Sequence, residues 1–169
     1  EYNKARSDIN EAMKLDPRND KIYKKLIEIC DNPEKYEKER KKEIVYDNAE
    51  LFNKKGVEHS EKGEYDDAIS AFNEAISISK GGIKSHYYFN RGNTYFKKRD
   101  YNAAIKDYTD AINAEPDRPE YYNNRGIAYT NIKDYGKAIQ DFDQAIKINP
   151  NYENAIKNRD TILNSIKKQ

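Results

Sequence analysis

YYFNRGNTYF at residues 87–96 and YYNNRGIAYT at residues 121–130 are one phrase written twice, 34 residues apart. Asn90-Arg91-Gly92 returns as Asn124-Arg125-Gly126, and Asn158-Arg159-Asp160 follows after the same interval with the glycine lost. Aligning outward from the glycines adds Gly56, 36 residues before Gly92. An aromatic precedes each glycine by four residues (Phe52, Tyr88, Tyr122) and a tyrosine follows it by nine (Tyr65, Tyr101, Tyr135). Small and large residues then alternate in step: Ala68, Ala104 and Ala138; Phe72, Tyr108 and Phe142; Ala75, Ala111 and Ala145. Lys80, Pro116 and Pro150 close the three units.

Self-similarity at a period in the thirties is the mark of a stacked repeat. Aromatics and alanines recur at three- and four-residue steps, which places them on one face of each of two helices per unit. The spacing predicts turns at 61–66, 98–101 and 133–135. Glycine in the first helix and alanine in the second are small because two helices approach closely there, with the aromatics filling the groove beside them. Pro116 and Pro150 stop the second helix, since proline cannot continue it.

The series Tyr88, Gly92, Tyr95, Tyr101, Ala104, Tyr108, Ala111 and Pro116 resembles the tetratricopeptide repeat family, and so does Tyr122, Gly126, Tyr129, Tyr135, Ala138, Phe142, Ala145 and Pro150. The resemblance covers 49–152. The unit at 49–82 departs from it: His59 stands for tyrosine, Lys80 for proline, and Gly81-Gly82 lengthen the exit loop. The resemblance implies an all-α fold, a right-handed α-solenoid of helix-turn-helix repeats, serving protein–protein interaction as a scaffold or adaptor. An alternative it also implies is a targeting or co-chaperone module of a larger protein, one fused to an enzyme domain such as a prolyl isomerase, phosphatase or glycosyltransferase.

The flanks continue the pattern. Tyr2, Ala5, Ile9, Ala12 and Pro17 repeat Tyr135, Ala138, Phe142, Ala145 and Pro150. Residues 1–30 therefore read as the end of an upstream array: a second helix over 1–16, then a closing helix over 20–30 with Tyr23 and Leu26 at first-helix spacing and Ile27 in place of the glycine. Asp31-Asn32-Pro33 starts a charged connecting helix over 31–48, which lacks a firm breaker before the three units of 49–152. Residues 153–169 read as a capping helix with Ile156, Leu163 and Ile166 on its apolar face. The chain opens without methionine, so a longer protein is expected, and the half-uncovered face of Ala5, Ile9 and Ala12 invites self-association or another segment.

Composition narrows the function. A net charge of +1, with 36% charged residues, disfavours nucleic acid as a partner, and the acidic residues threaded through 38–43 describe a solvated helix. No apolar run reaches membrane-spanning length, and the single Cys30 cannot form an internal disulfide, so a cytoplasmic protein without membrane contact is expected. No phosphate loop, metal-binding histidine pair or nucleophile arrangement is present. His59 and His86 stand alone in the sequence, and no enzyme, metal or cofactor is expected.

What remains is the inner surface, lined by the first helices. Helical spacing turns Glu50, Asn53, Lys54, Val57, Ser60 and Glu61 inward from the first unit. The second offers His86, Phe89, Asn90, Asn93, Phe96 and Lys97, and the third Glu120, Asn123, Asn124, Ile127, Thr130 and Asn131. The last helix offers Asn154, Lys157, Asn158, Thr161, Asn164 and Ser165. Asn90, Asn124 and Asn158 form a ladder. An amide both donates and accepts, so it can hold the backbone of an extended peptide whatever its side chains. The same amides could instead bridge neighbouring helices. Asn53, Lys54, His86, Phe89, Asn90, Asn93, Lys97, Asn123, Asn124, Ile127, Asn131, Lys157 and Asn158 are the expected peptide-binding residues. Arg91, Arg125 and Arg159 are expected to brace helices. The grip on a chaperone's terminal carboxylate resembles a clamp of Lys and Asn, then Asn, then Lys and Arg in successive units. Asn90 fits its middle, but Asn53 and Val57 replace the first pair and Glu120 and Asn124 the last, where Glu120 repels a carboxylate.

Overall fold

The structure, a computed structural model, describes residues 2–15, 20–79 and 85–167. Among these residues there are nine α-helices and no strand. They fall into two compact units, Glu1–Tyr46 and Asp47–Gln169. Pro17 as a helix stop and the loop of Lys80, Gly81 and Gly82 lie outside the described residues.

In the first unit α1 (Tyr2–Leu15) packs on α2 (Asp20–Asp31). Cys30 is half-buried there. The helix α3 (Pro33–Lys62) begins with proline in its first turn, where the missing N–H costs no helical bond. The connecting helix over 33–48 runs on into 49–61 as one 30-residue helix, since no proline or glycine interrupts it before Gly56. Residues 37–41 are exposed, as a helix without an apolar stripe must be.

The second unit stacks three helix pairs. The end of α3 pairs with α4 (Tyr65–Ile78), α5 (Ser85–Lys97) with α6 (Tyr101–Ala114), and α7 (Pro119–Asn131) with α8 (Tyr135–Ile148). The last helix, α9 (Glu153–Ile166), lies on α8 and buries Ala155 and Ile162 in the cluster built around Ala138, Phe142 and Ala145. The aligned alanines and rings of the second helices are the core: Ala68, Phe72, Ala75, Ala104, Tyr108, Ala111, Ala138, Phe142 and Ala145 are each at most 1% exposed. Each such ring contributes about 1.5–3 kcal/mol relative to exposure.

The glycines answer to close approach. A Cβ on Gly56 would meet Phe72 at 2.7 Å, on Gly92 Tyr108 at 2.9 Å, and on Gly126 Phe142 at 2.7 Å. Ring and glycine are thus one packing device, written twenty residues or fewer apart. Each turn after a first helix passes through one left-handed residue, Gly63, Arg99 or Lys133, with φ of 82°, 66° and 64°. Two backbone bonds close each turn, for example Asp100 N to Tyr95 O and Arg99 N to Phe96 O, both 2.9 Å. Asp100 and Asp134 then cap α6 and α8 by accepting from Ala103 and Lys137 N–H. α6 and α8 stop two residues before Pro116 and Pro150.

Candidate functional site

The first helices of the second unit present their polar side chains to one another before they present them to anything else. Asn90 Nδ2 donates to Asn53 Oδ1 at 2.9 Å, Asn124 Nδ2 to Asn93 Oδ1 at 3.0 Å, and Asn158 Nδ2 to Asn123 Oδ1 at 3.0 Å. Every ladder asparagine therefore reaches back to the preceding first helix. The accepting asparagine stands three residues before the glycine in Asn53 and Asn123 but one after it in Asn93. These two positions are one helical turn apart, and the one without asparagine is apolar: Val57, Phe89 and Ile127.

Asn53 and Asn123 are only 6% and 4% exposed. Their Nδ2 groups donate to Glu50 Oε1 and Asn124 Oδ1. They were expected to face a ligand, and the structure gives their amides to the stack. Phe89 likewise lies half-buried, with its ring centroid 4.7 Å from that of Tyr121 and 5.8 Å from that of Tyr108. Apolar area decides its place: the ring loses more water by joining the tyrosines than by lining a groove.

Behind the ladder, arginine ties each pair together. Arg91 holds Asp107 with two bonds of 2.7 Å and also donates to Asn73 on the preceding second helix. Arg125 holds Asp141 at 2.8 and 2.7 Å and donates to Thr109 Oγ1 at 3.0 Å. Asp107 and Asp141 are buried. A guanidinium fork matched to a carboxylate is the one cation that fits such a site with both charges satisfied. Arg159, on α9, pairs with Asp143 and Asp160.

A pocket opens on the inner face. It holds about 300 Å³ and is lined by Asn93, Phe96, Lys97, Tyr108, Asn124 and Ile127. Asn93 Oδ1 already accepts from Tyr108 Oη at 2.8 Å and from Asn124 Nδ2. With that oxygen occupied, Asn93 offers the pocket its N–H donors. Lys97 adds an ammonium that donates once, to Ser60 Oγ at 3.3 Å, and keeps two more N–H groups. The polar wall is therefore built from donors and the rest from Phe96, Ile127 and the Tyr108 ring. Burial pushes the Tyr108 phenol up, so it stays neutral and donates.

Tyr108 is core by its repeat position and also lines the pocket. Its two equivalents are Phe72 and Phe142. The extra hydroxyl stands in the same unit where asparagine replaces the apolar residue after the glycine, and that coincidence is the sequence signal for the pocket.

At the edge of the first helix pair of the second unit, Glu50 gathers Asn53 Nδ2, Tyr87 Oη and His86, whose Nε2 lies 3.3 Å from Glu50 Oε2. Burial works against its charge, but the bonds from Asn53, His86 and Tyr87 outweigh it and hold the carboxyl below the ordinary glutamate range. Neither histidine stands alone in space. His59 Nδ1 lies 2.6 Å from Glu64 Oε2, and with Asp67 these groups place ligand atoms within 4.8 Å of one another. Glu64 and Asp67 are exposed at the start of α4, so the trio is a surface hydrogen bond with a neighbouring carboxylate. Lys54, Asn131 and Lys157 are exposed on the first helices, and Asn131 bonds only its own helix, at Ile127 O.

Descriptions of the tetratricopeptide repeat match residues 49–81 and 119–157, and one of the TPR repeat matches 92–133. The chain belongs to the tetratricopeptide repeat family. Solved structures agree on the fold of the tetratricopeptide array. The first TPR domain of Spaghetti (RPAP3), bound to the HSP90 peptide SRMEEVD, is 21% identical, with a TM-score of 0.66 over 72% of this chain and 94% of that one. The OM64 TPR domain of Arabidopsis is 22% identical, TM-score 0.66, over 72% and 98%. The second TPR domain of human RPAP3, in complex with the HSP70 peptide SGPTIEEVD, is 23% identical, TM-score 0.63, over 72% and 97%. No match to this sequence was found among curated proteins. The tetratricopeptide fold makes the chain a protein–protein interaction module. Among the described residues no helix is long and apolar enough to cross a membrane.

Proposed function

We propose that the tetratricopeptide array binds an extended polypeptide on its inner face and seats a carbonyl or carboxylate of that ligand in the pocket of Asn93, Lys97 and Asn124. The carrying observation is the one-sided chemistry of this pocket: Asn93 spends its oxygen on Tyr108 and Asn124, which leaves donors and a cation beside apolar walls. Such a wall favours an acceptor with an aliphatic or aromatic neighbour, and a negative charge most. This register lies one unit from the clamp weighed in the sequence, so the Glu120 objection shifts too: Glu120 is itself within 3.6 Å of Arg118. The acidic peptides named with two relatives support a ligand of this type. The exposed Lys54, Asn131 and Lys157 and the half-buried His86, Asn90 and Asn158 flank the path and contribute register.

Two or three such hydrogen bonds at about 0.5–3 kcal/mol each, less the ordering of the peptide, give a dissociation constant between about 10 µM and 1 mM. The test is fluorescence anisotropy with labelled SRMEEVD, the same peptide amidated at its end, and a version with lysines in place of its acids. Binding of the acidic peptide that falls at least about tenfold in Lys97→Glu, with an unchanged melting curve, supports the reading. No binding of any probe at about 1 mM, or binding indifferent to Lys97→Glu, overturns it.

A further inference from the structure

The turn that joins α3 to α4 departs from its two counterparts at three positions together. His59 stands where α5 and α7 have Tyr95 and Tyr129. Glu64 stands where the later pairs have Asp100 and Asp134, and Asp67 where they have Ala103 and Lys137. The three side chains meet. His59 Nδ1 lies 2.6 Å from Glu64 Oε2, and one ligand atom from each of His59, Glu64 and Asp67 falls within 4.8 Å of the other two.

In the later pairs the aspartate caps the second helix by accepting from Ala103 or Lys137 N–H. Glu64 holds the same N-cap position and makes no such bond. Its oxygen goes to the imidazole instead. Carboxylates at a helix start are favoured by the helix dipole, which accounts for Asp67 taken by itself. The dipole accounts for neither the histidine nor the forgone cap. Lys98 gives its charge to Asp66, and among the described residues Asp67 has no hydrogen bond or ion pair.

The frame beneath is fixed. Glu64 N donates to His59 O at 3.0 Å and Gly63 N to Ser60 O at 3.3 Å, with Gly63 at φ 82°. Asp67 follows Glu64 by three residues in the first turn of α4, so the two carboxylates share one side of that helix. Ligand atoms around a tetrahedral zinc ion stand about 3.4 Å apart. That spacing lies between the 2.6 Å of the His59–Glu64 pair and the 4.8 Å limit of the trio, so side-chain rotation is enough to close on an ion.

We infer that His59, Glu64 and Asp67 bind a divalent transition-metal ion, zinc above all, through one imidazole nitrogen and two carboxylate oxygens, with water in the remaining position. One neutral imidazole and two carboxylates balance the charge of the ion and supply the N and O ligands that suit it. The ion takes the place of the proton between His59 Nδ1 and Glu64 Oε2, and the imidazole keeps its proton on Nε2. Bound there, it staples the end of α3 to the start of α4, where the side-chain cap is missing. None of the three residues lines the pocket of Asn93, Lys97 and Asn124, so the inference is independent of the peptide reading.

Calorimetric titration of zinc chloride into residues 1–169 tests it, together with NMR of the two imidazoles, His59 and His86. The expected result is one ion per chain with a dissociation constant between about 1 and 100 µM. The His59 resonances should move while those of His86 stay, and the melting temperature should rise with zinc. His59→Tyr and Asp67→Ala restore residues that the second pair carries at these positions, and circular dichroism shows that each variant is folded. Each should weaken zinc binding at least about tenfold. No heat and no imidazole shift at about 1 mM zinc, binding centred on His86, or either folded variant binding within about threefold of the unsubstituted chain overturns the inference.

Discussion

Replace Asp141 by asparagine. Shape and one acceptor oxygen survive, but Arg125 loses the anion that its fork was built around. The lost interaction is one charge-assisted bond of a pair at 2.8 and 2.7 Å, worth about 1.5–3 kcal/mol. Rehydration recovers little of it, because the Arg125 and Asp141 side chains are 17% and 8% exposed. Thr109 keeps one guanidinium bond, so the cost stays below the roughly 3–5 kcal/mol of a wholly stranded buried charge. We expect about 2–3 kcal/mol, a fall in Tm of roughly 6–15 °C for a unit of this size. The molecule supplies its own control. Arg159 and Asp143 form the same kind of contact at 3.1 Å with 28% and 55% exposure, and Asp143→Asn should cost less than about 1 kcal/mol. Urea unfolding followed by circular dichroism measures both. Equal losses for the two substitutions, or a loss at Asp141 under about 0.5 kcal/mol, would refute the claim that burial gives this ion pair its weight.

Three further outcomes follow from the same geometry. Gly126→Ala should lose about 1–3 kcal/mol to the Phe142 ring, and Phe142→Leu in the same chain should recover part of that, a non-additivity that a thermal melt of the four variants resolves. Lys133→Gly should gain about 0.5–1 kcal/mol by removing a Cβ from a residue held at φ 64°, visible as a higher urea midpoint. Because the folded Glu50 carboxyl is held low, its stabilisation is present above the unfolded value and is lost as pH falls through the folded one. Glu50→Gln should therefore lower stability at neutral pH and flatten the decline in acid, which melts taken from pH 7 downward would show.

The metre of glycine, ring and alanine was legible because each is an answer to a steric question asked again every unit. Helix ends were legible at Pro116 and Pro150, which act on their neighbours, whereas the caps at Asp100 and Asp134 emerge only in the structure. The left-handed turns were not legible. Only Gly63 advertises one, while Arg99 and Lys133 take the same conformation under compulsion from the two backbone bonds that close the turn. The inner face was half legible. Periodicity assigns a residue to a face, and it cannot say whether an amide there spends its bonds outward or on the next helix. Asn53 and Asn123 give their oxygens to Asn90 and Asn158 of the next helix and their N–H groups to Glu50 and Asn124 of their own, because a buried amide must be paired.

The accepting asparagine shifts by one turn from helix to helix while the donor stays fixed. Each junction thus tolerates two spellings of the same bond. Exchanging Asn123 with Ile127 would write that junction as Asn93 and Phe89 write theirs and move a hydrophobic spot across the groove. The lattice that holds the units together is in this sense silent about what the groove displays. Such a scaffold can change its ligand by transposing letters within a helix, with no new residue types and no loss of support beneath.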